Sequence, residues 1–342
     1  MKEIKNIIAI QKQRAQILDL TRNFFKKKGF LEVQTPLLLK NVDTAPYIDP
    51  FAVKFSNDRN KHYYGYLITS PEYSLKKLLA QGFKNIFEIT KAFRQGEAFG
   101  GLHNPEFTIL EWYRTQANYL QVMKDTEELV FFLTQKLHRR SFLFYQGQKI
   151  DVSLPWLRIS VKKAFQKYAK INLDKTKNLK YFKKIVKQKG YRLDPAFGGA
   201  SWNDLFYLIF LNEIEPKLPK DRAIILYDYP LPQAALAKKK SKNSFYAERF
   251  EAYLGGIEIC NAFSELLDWQ EQLKRLKEDQ KERQKLHKEV LEIDKTFISA
   301  LKSKIPPTSG NALGIDRLEM LLLNIKDIDE LLPFSANKMF NP

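Results

Sequence analysis

The chain has 342 residues, of which 44% are hydrophobic, so it can bury a large core and is neither disordered nor collagen-like. A single cysteine, Cys260, and four scattered histidines exclude a disulfide framework and a thiolate zinc site. The net charge of +18 favours a polyanionic partner: nucleic acid, an acidic protein, nucleotide phosphates or a membrane surface. A lysine-rich solvated surface is the alternative, because the lysines are spread along the chain.

The N-terminal part is predicted to combine helices with short extended segments. Apolar residues at helical spacing predict an amphipathic helix over residues 6–28. The stretch FLEVQTPLLL is then extended as far as its proline. A short strand at 66–69 precedes a helix in SPEYSLKKLLAQGF, where Ser70 is a suitable N-cap and Pro71 suits the first helical position.

Two alternating segments, NIFEITKAFR and EFTILEWYR, predict an antiparallel hairpin joined by a glycine-rich loop. In the second segment Phe107, Ile109, Glu111 and Tyr113 share one face. Residues 93–114 hold more ionisable groups than a core strand needs and more large apolar ones than a surface loop needs. This mixture indicates a functional site.

The second half begins with a predicted helix over 118–140 and a lysine-rich, mostly helical insertion at about 158–220, with the loop DPAFGGASW at its centre. A strand at 222–228 follows, and RFEAYLGGIEICNAFSEL predicts two strands around a Gly-Gly turn. Asp268 can cap a charged helix that reaches about residue 290. SGNALG predicts a glycine-rich turn that leads into a final apolar helix.

Targeting signals are not evident in the sequence. The N-terminus is too polar for a signal peptide, and the longest apolar runs, such as LFYLIFL at 205–211, are too short to cross a bilayer. We therefore expect a cytoplasmic protein with no membrane partner.

The chemistry-bearing residues fit a nucleotide site of an uncommon kind. The chain has neither GxxxxGK nor GxGxxG, which disfavours a P-loop or a Rossmann site. Arg94, Phe107 and Arg317, with Glu251 and Glu258, could instead serve ATP and Mg²⁺ on an antiparallel sheet. Structural ion pairs and core aromatic residues are the alternative interpretation of each of these positions.

Four segments carry a resemblance to a known family. FRQGEAFGGLHNPEFTILEWYR resembles motif 2 of the class II aminoacyl-tRNA synthetases in its lysyl, aspartyl and asparaginyl form. GNALGIDRLEM resembles motif 3, GFLEVQTPLL motif 1, and GGIEICNAFSEL the lysine-specific segment of lysyl-tRNA synthetase. The resemblance implies an α+β fold: an antiparallel sheet flanked by helices, with motif 1 at the interface of a homodimer.

The resemblance also implies roles for individual residues. Arg94 and Arg317 would be catalytic, and Glu251 and Glu258 would bind Mg²⁺. The residues implied for ATP are Arg94, Glu97, His103, Asn104, Phe107, Glu258, Ile259, Gly314 and Arg317. Those implied for the amino acid are Ser70, Glu72, Glu111, Tyr113, Asn261, Glu265 and Ala312.

Side chains an even number of positions apart on a strand share a face, and this sets two geometric conditions for the predicted site. Glu251 and Glu258 are seven residues apart, so the turn at Gly255–Gly256 must bring them to one face. Glu258 and Asn261 also differ in parity, so a bulge or break must lie near Cys260 if both face the site.

Motif 1 is reached by residue 30, which leaves no room for the N-terminal OB-fold of lysyl-tRNA synthetases, so we expect residues 1–342 to form one catalytic domain. The chain therefore resembles the truncated paralogues that activate (R)-β-lysine and transfer it to a lysine side chain of elongation factor P. Ala312 fits this branch, because its methyl group narrows the α-amine end of the pocket. The alternatives are a minimal lysine-activating enzyme that acylates tRNA, a non-catalytic regulatory paralogue, and an amide-forming enzyme similar to ammonia-dependent asparagine synthetase.

The motif 2 loop departs from the family pattern. Gly96 replaces the usual acid two residues after the arginine, and Glu97 follows it. Gly101 and Leu102 stand where an arginine often precedes the histidine. We expect rearranged ATP contacts here, with Glu97 still reaching the nucleotide.

Overall fold

The computed structural model of the chain describes residues 7–192 and 201–341, so most of the predicted loop DPAFGGASW lies outside the described residues. The predicted α+β class is confirmed. The strands are β1 Leu31–Glu32, β2 Leu38–Leu39, β3 Ala52–Ser56, β4 His62–Leu67, β5 Ile86–Phe93, β6 Glu106–Thr115, β7 Phe142–Tyr145, β8 Gln148–Asp151, β9 Leu157–Ser160, β10 Ile224–Tyr227, β11 Arg249–Leu254, β12 Ile257–Ser264 and β13 Thr308–Gly314.

The helices surround these strands. They are α1 Ile7–Lys27, α2 Glu72–Ala80, α3 Tyr119–His138, α4 Val161–Ala164, α5 Leu179–Gln188, α6 Trp202–Ile209, α7 Trp269–Lys285, α8 Lys295–Lys302, α9 Ile315–Leu323, α10 Ile328–Leu331 and α11 Ala336–Phe340. Short π-helical or 3₁₀ segments span Phe165–Ala169, Leu173–Lys177, Phe210–Ile214, Glu215–Lys217 and Leu231–Gln233.

One eight-stranded sheet organises the molecule, in the order β1-β5-β6-β13-β12-β11-β10-β9. Its inner strands are antiparallel, and only the end pairs β1–β5 and β9–β10 are parallel. A three-stranded sheet, β2-β4-β3, and the hairpin β7–β8 lie outside it.

Alternation along the strands gives this sheet one core face. Phe87 on β5 pairs with Trp112 on β6, and both side chains are fully buried. Phe25 of α1 packs on both, with ring centroids 5.0 Å and 5.1 Å away. Because successive side chains point to opposite faces, Glu88 and Glu111, one position away on each strand, lie on the other face.

Most predicted elements are confirmed. The first helix is α1, the predicted hairpin is β5–β6, and the helix over 118–140 is α3, capped by Asn118. Asp268 caps α7 as predicted, but the helix ends at Lys285 rather than near 290, because the chain turns at His287, where φ is 55°.

The prediction of a turn at SGNALG is wrong, because these residues form the central strand β13. A Cβ on Gly310 would lie 2.6 Å from Cδ1 of Tyr113 and 2.8 Å from Oε1 of Glu265. The small residues of this strand are therefore required by close packing on its face and not by a reversal of the chain.

The described residues between 158 and 220 include helices α4, α5 and α6 and have a hydrophobic cluster of their own. Phe165, Phe182 and Phe206 are buried there with Ile224 and Leu226 of β10, which joins the cluster to the edge of the large sheet. No helix within residues 7–192 and 201–341 has the length and apolarity needed to span a bilayer.

Candidate active site

A row of side chains crosses the open face of the large sheet. Glu111 of β6 pairs with Ala312 of β13, Ala312 with Asn261 of β12, and Asn261 with Glu251 of β11. Residues paired in register point to the same face, so these four strands bring the polar side chains of Glu111, Asn261 and Glu251, with Ala312 among them, to one place.

The hairpin β11–β12 meets both parity conditions. Gly255 and Gly256 have φ of +59° and +83°, which suits a tight turn, and Tyr253 pairs with Glu258 across it. The register then shifts, so that Ala252 pairs with Cys260 and Glu251 with Asn261. The predicted bulge is confirmed, and it places Glu258 and Asn261 on the same face as Glu251.

Two cavities open over this face and share a wall. The first has a volume of about 360 Å³ and the second about 230 Å³. The residues that line both are Ile48, Arg94, Ile109, Asn261 and Ala312. A molecule in one cavity can therefore meet a molecule in the other beside the guanidinium of Arg94.

Arg94 can bind an anion where the two cavities meet. Its guanidinium lies 4.9 Å from the centroid of the Phe107 ring, and its buried Nε has no hydrogen-bond partner among the described residues. Burial lowers the pKa of Arg94 below its usual value, with Glu97 and Glu258 opposing that shift. An incompletely paired buried cation is costly unless a bound anion completes it.

The second cavity gathers the residues predicted for ATP: all nine line it. Arg317, on α9, donates from Nη1 to the backbone oxygen of Glu258 at 3.1 Å, and the same nitrogen lies 3.8 Å from the Glu258 carboxylate. Burial raises the pKa of Glu258 to about 7, and the nearby Glu251 adds to the rise. Their roles toward the nucleotide remain predictions.

Asn104 has a structural function in addition to its place in the cavity wall. Its Nδ2 donates to the backbone oxygen of Glu106 at 2.6 Å, and its Oδ1 accepts from the backbone of Ala336 at 2.8 Å. Both ends of the amide are thus used to hold the motif 2 loop against the C-terminal segment. The backbone N–H of Gly101 donates to Asp327 at 3.1 Å and strengthens the same contact.

Glu97 lies in this loop beside His103. Its Oε2 lies 2.7 Å from Nδ1 of His103, and this hydrogen bond is the main reason that the pKa of Glu97 is lowered. Both side chains line the second cavity. The pair fixes the ring of His103 and leaves its Nε2 to meet a ligand.

Glu97→Ala should therefore raise the KM for ATP about tenfold in an ATP–pyrophosphate exchange assay, because it releases His103 and removes one polar contact. The control is Glu106→Ala, which alters an exposed acid of the same hairpin outside both cavities. An unchanged KM in Glu97→Ala would remove Glu97 from the nucleotide site.

The first cavity contains six of the seven residues predicted for the amino acid; Glu111 is the exception. Its carboxylate lies behind the wall, where it accepts hydrogen bonds from Ser70 and, at 3.1 Å, from the hydroxyl of Tyr113. Burial raises the pKa of Glu111 to about 8. Glu111 thus orients Ser70 and Tyr113, and does not itself line the first cavity.

Lys76 of α2 does not line this cavity, but it contacts two carboxylates that do, and sequence reasoning missed it. Its side chain is fully buried, with Nζ 2.5 Å from Oε2 of Glu265 and in a hydrogen bond with Glu72. Burial alone would lower the pKa of Lys76, but the two carboxylates outweigh it and raise the pKa above its usual value. The carboxylates predicted to bind the amino acid therefore already share one ammonium group.

Two further acids line the same cavity and were also missed. Burial raises the pKa of Asp43 to about 6 and that of Asp279, on α7, to about 7. With Glu72 and Glu265, they give the first cavity four carboxyl groups. Such a cavity in a protein of net charge +18 suits a ligand that carries amino groups.

Arg249, also missed, connects the row of polar side chains. Its Nε donates to Oδ1 of Asn261 at 2.9 Å and its Nη2 to Glu251 at 2.6 Å. The amide nitrogen of Asn261 is then left to donate to a ligand. Tyr229 and Tyr253 also donate to Glu251, at 2.5 Å and 2.6 Å, so this carboxylate is enclosed by protein donors and lines neither cavity.

A divalent cation fits this site only with ligands from outside the chain. The described residues contain no group of three or more His, Cys, Asp or Glu side chains arranged to hold a metal ion. Glu258 is the available carboxylate, and Mg²⁺ commonly uses one or two carboxylates together with water and substrate phosphates. The donor set is thus compatible with Mg²⁺ that arrives with a nucleotide.

Sequence signals existed for two of the missed residues. Lys76 follows Glu72 by four positions on a predicted helix, which is the spacing of a helical ion pair. Arg249 precedes Glu251 by two positions on a predicted strand, so both share a face. No local pattern marks Asp43 or Asp279, because tertiary folding alone brings them to the cavity.

Comparison with known proteins agrees with this geometry. The family model described as tRNA synthetases class II (D, K and N) matches residues 2–338. Among curated proteins, the elongation factor P–(R)-beta-lysine ligase of Avibacterium paragallinarum is 36% identical over 324 residues, covering 94% of this chain and 94% of its own length. The protein of the same name from Haemophilus influenzae (strain PittGG) is 35% identical, covering 98% and 96%.

A lysine–tRNA ligase is similar to the same degree. That of Buchnera aphidicola subsp. Cinara cedri is 37% identical over 334 residues. The match covers 97% of this chain but 64% of that relative, so the chain spans less than two thirds of its length.

Proposed function

The chain belongs to the class II tRNA synthetases of the D, K and N type. We propose that it is an ATP-dependent ligase that activates a lysine-like amino acid, with a preference for (R)-β-lysine. It then transfers this amino acid to a lysine side chain of elongation factor P. The proposal includes a cytoplasmic location. It also includes a homodimer, and light scattering would detect this as twice the chain mass of 40.1 kDa. The observation that carries it is the shared wall of the two cavities at Arg94.

The first step would take place at that wall. A carboxylate oxygen of the amino acid forms a bond to the α-phosphorus of ATP, and the bond from this phosphorus to the pyrophosphate oxygen breaks. Negative charge develops at the α-phosphate, beside Arg94, whose Nε has no hydrogen-bond partner among the described residues. Arg317, on α9, lines the same cavity. Fixed cations at the position of developing charge lower the barrier.

The chain also supplies the positioning of both reactants. Arg249 donates to the amide oxygen of Asn261, so the amide nitrogen would hold the amino-acid carboxylate. Phe107 and Arg317 would enclose the adenine. Mg²⁺ bound with ATP at Glu258 would neutralise phosphate charge. In the second step the acceptor amine forms a bond to the carbonyl carbon of the adenylate. The bond from this carbon to the phosphate oxygen breaks, AMP leaves with the electron pair, and the new amide nitrogen loses a proton to solvent.

The carboxyl groups of the first cavity support a diamine substrate. Glu72, Glu265, Asp43 and Asp279 all line it. Ala312 lies in the wall common to both cavities, so its methyl group is placed close to the reacting end of the amino acid. This supports a preference for an amine at the β-carbon over one at the α-carbon.

Transfer to tRNA is the second candidate, because the similarity to a lysine–tRNA ligase equals that to the protein ligases. The protein acceptor is favoured because similar proteins from Avibacterium paragallinarum and Haemophilus influenzae are both named elongation factor P–(R)-beta-lysine ligase.

The deciding experiment is intact-mass analysis of elongation factor P from the same organism, incubated with the enzyme, Mg-ATP and either (R)-β-lysine or α-lysine. We expect a mass gain of one lysyl group, faster with (R)-β-lysine. A gain with α-lysine alone would reject the argument from Ala312. Acylation of tRNA without any gain on the protein would favour the second candidate, and the absence of ATP–pyrophosphate exchange with every diamine would indicate a regulatory paralogue.

A further inference from the structure

The positive charge of the chain is concentrated on one segment of the insertion. Residues 161–192 contain eleven lysines and Arg192 against a single acid, Asp174. These 32 residues therefore carry a net charge of +11 out of the +18 of the whole chain. Lysines also occur throughout the rest of the sequence, so the higher density in this segment is not obvious by inspection. We call residues 161–192 the lysine surface.

Helix α5 shows how the lysine surface is built. Lys180, Lys183, Lys184 and Lys187 recur at the spacing of one helix face, and all but Lys183 are exposed. The opposite face places Phe182, fully buried, in the core of the insertion. The helix is thus fixed by its apolar side and presents an ordered row of ammonium groups to solvent.

Little of this charge is neutralised within the chain. Among the described residues, carboxylates pair only with Lys162, through Asp174, and with Lys189, through Glu213 at 2.8 Å. The other nine lysines of the surface have no carboxylate within ion-pairing distance in the part of the chain that the structure describes. Their field therefore extends into solvent over about one Debye length.

The lysine surface contacts the wall of the first cavity through helix α6. Phe182 of α5 lies 5.6 Å from Trp202 of α6, measured between ring centroids. On the same helix, Asn203 and Tyr207 line the first cavity, and Asn203 accepts a hydrogen bond from Gln233 at 2.8 Å. The helix that carries the lysines therefore packs, through its buried face, on a helix that lines the cavity.

We propose that the lysine surface docks an acidic face of the acceptor protein and so brings its target lysine to the adenylate. The inference rests on the proposed function. An acceptor lysine is a cation that must approach a protein of net charge +18, so a productive encounter needs compensating acidic groups on the acceptor. The composition favours protein over nucleic acid, since the surface has eleven lysines and one arginine, and arginine is the residue suited to bidentate contact with phosphates and bases.

The test is the triple variant Lys180→Glu, Lys184→Glu, Lys187→Glu in the full chain, with elongation factor P of the same organism as acceptor. We expect kcat/KM for the acceptor to fall about tenfold or more at low ionic strength, with ATP–pyrophosphate exchange unchanged. The defect should shrink in about 0.5 M salt, where screening removes the steering of both enzymes.

The matched control is Lys274→Glu, Lys277→Glu, Lys281→Glu, which reverses three exposed charges on α7 with similar spacing. Equal losses in the two triple variants would overturn the proposal, since only net charge would then matter. A loss of RNA binding in a gel-shift assay, without any change in acceptor kinetics, would assign the surface to nucleic acid and overturn it as well. If the wild-type enzyme exchanged no pyrophosphate, the failure would lie in the proposed function.

Discussion

Replacing Arg94 with methionine is expected to lower the rate of ATP–pyrophosphate exchange by about 10³-fold, which corresponds to about 4 kcal/mol of transition-state stabilisation. Arg94 is in the wall that the two cavities share, so the carboxylate and the α-phosphate both meet its guanidinium. Its charge should act mainly in the transition state, and kcat should fall more than KM rises.

The same substitution should leave the protein stable. The buried Nε of Arg94 has no hydrogen-bond partner among the described residues, and burial lowers the pKa of the group. Methionine removes a poorly satisfied charge and can keep the contact with Phe107. Urea unfolding should therefore give a free energy within about 1 kcal/mol of the wild-type value, or above it.

Two controls separate this effect from general loss of charge. Arg222→Met removes a surface arginine whose side chain is 54% exposed, and it should leave exchange unchanged. Arg94→Lys keeps the charge without the planar fork, so its rate should lie between those of wild type and Arg94→Met. Retention of more than a tenth of the rate by Arg94→Met would show that charge does not develop at the junction of the cavities.

The large sheet could be predicted from the sequence because its patterns are local. Alternation fixes which face of β6 carries Glu111 and Tyr113, and the parity of Glu258 and Asn261 requires a bulge wherever both face one site. The turn predicted at the glycines of β13 is wrong, because the sequence does not distinguish a glycine required by a turn from one required by packing under an aromatic ring. Gly310 is small because Tyr113 packs against it, and that contact joins two distant segments.

The electrostatics of the site could be predicted less well, because buried charges act through partners from other elements. The resemblance implies that the carboxylate of Glu251 binds a metal ion. In the structure, Arg249, Tyr229 and Tyr253 all donate hydrogen bonds to this carboxylate. The resemblance implies that Glu265 contacts the amino acid, but it gives no sign that Lys76 reaches the same carboxylate. A pattern of acids predicts an attraction for cations, but the free energy of that attraction depends on which cations are already present.

Lys76→Met is expected to lower the free energy of unfolding by about 3–5 kcal/mol at pH 8, because it leaves Glu72 and Glu265 without their shared counter-ion. The control is Lys77→Met, at the next position on α2. Lys77 pairs with Asp294 at 2.5 Å, but its side chain is 26% exposed, so its loss should be about 1 kcal/mol or less. Urea unfolding of both variants measures the difference.

The loss in Lys76→Met should be smaller at pH 5 than at pH 8. Burial raises the pKa of Glu265 to about 8 even with Lys76 present. A carboxyl group whose pKa is raised in the folded state stabilises that state below its unfolded pKa, and this contribution is lost as the pH rises through the folded pKa. Without Lys76 the folded pKa moves higher still, so the variant loses more stability than wild type between pH 5 and pH 8. Equal losses at the two pH values would mean that Glu265 does not depend on Lys76.

A diamine should restore part of what the substitution removes. The ammonium group of bound (R)-β-lysine or α-lysine would replace that of Lys76 beside Glu265, so either ligand should raise the melting temperature of Lys76→Met more than that of wild type. Norleucine has a chain of similar length without the distal amine and should give no such difference. A larger response in the variant would show that Lys76 competes with a ligand ammonium for Glu265, and equal responses in the two proteins would reject this.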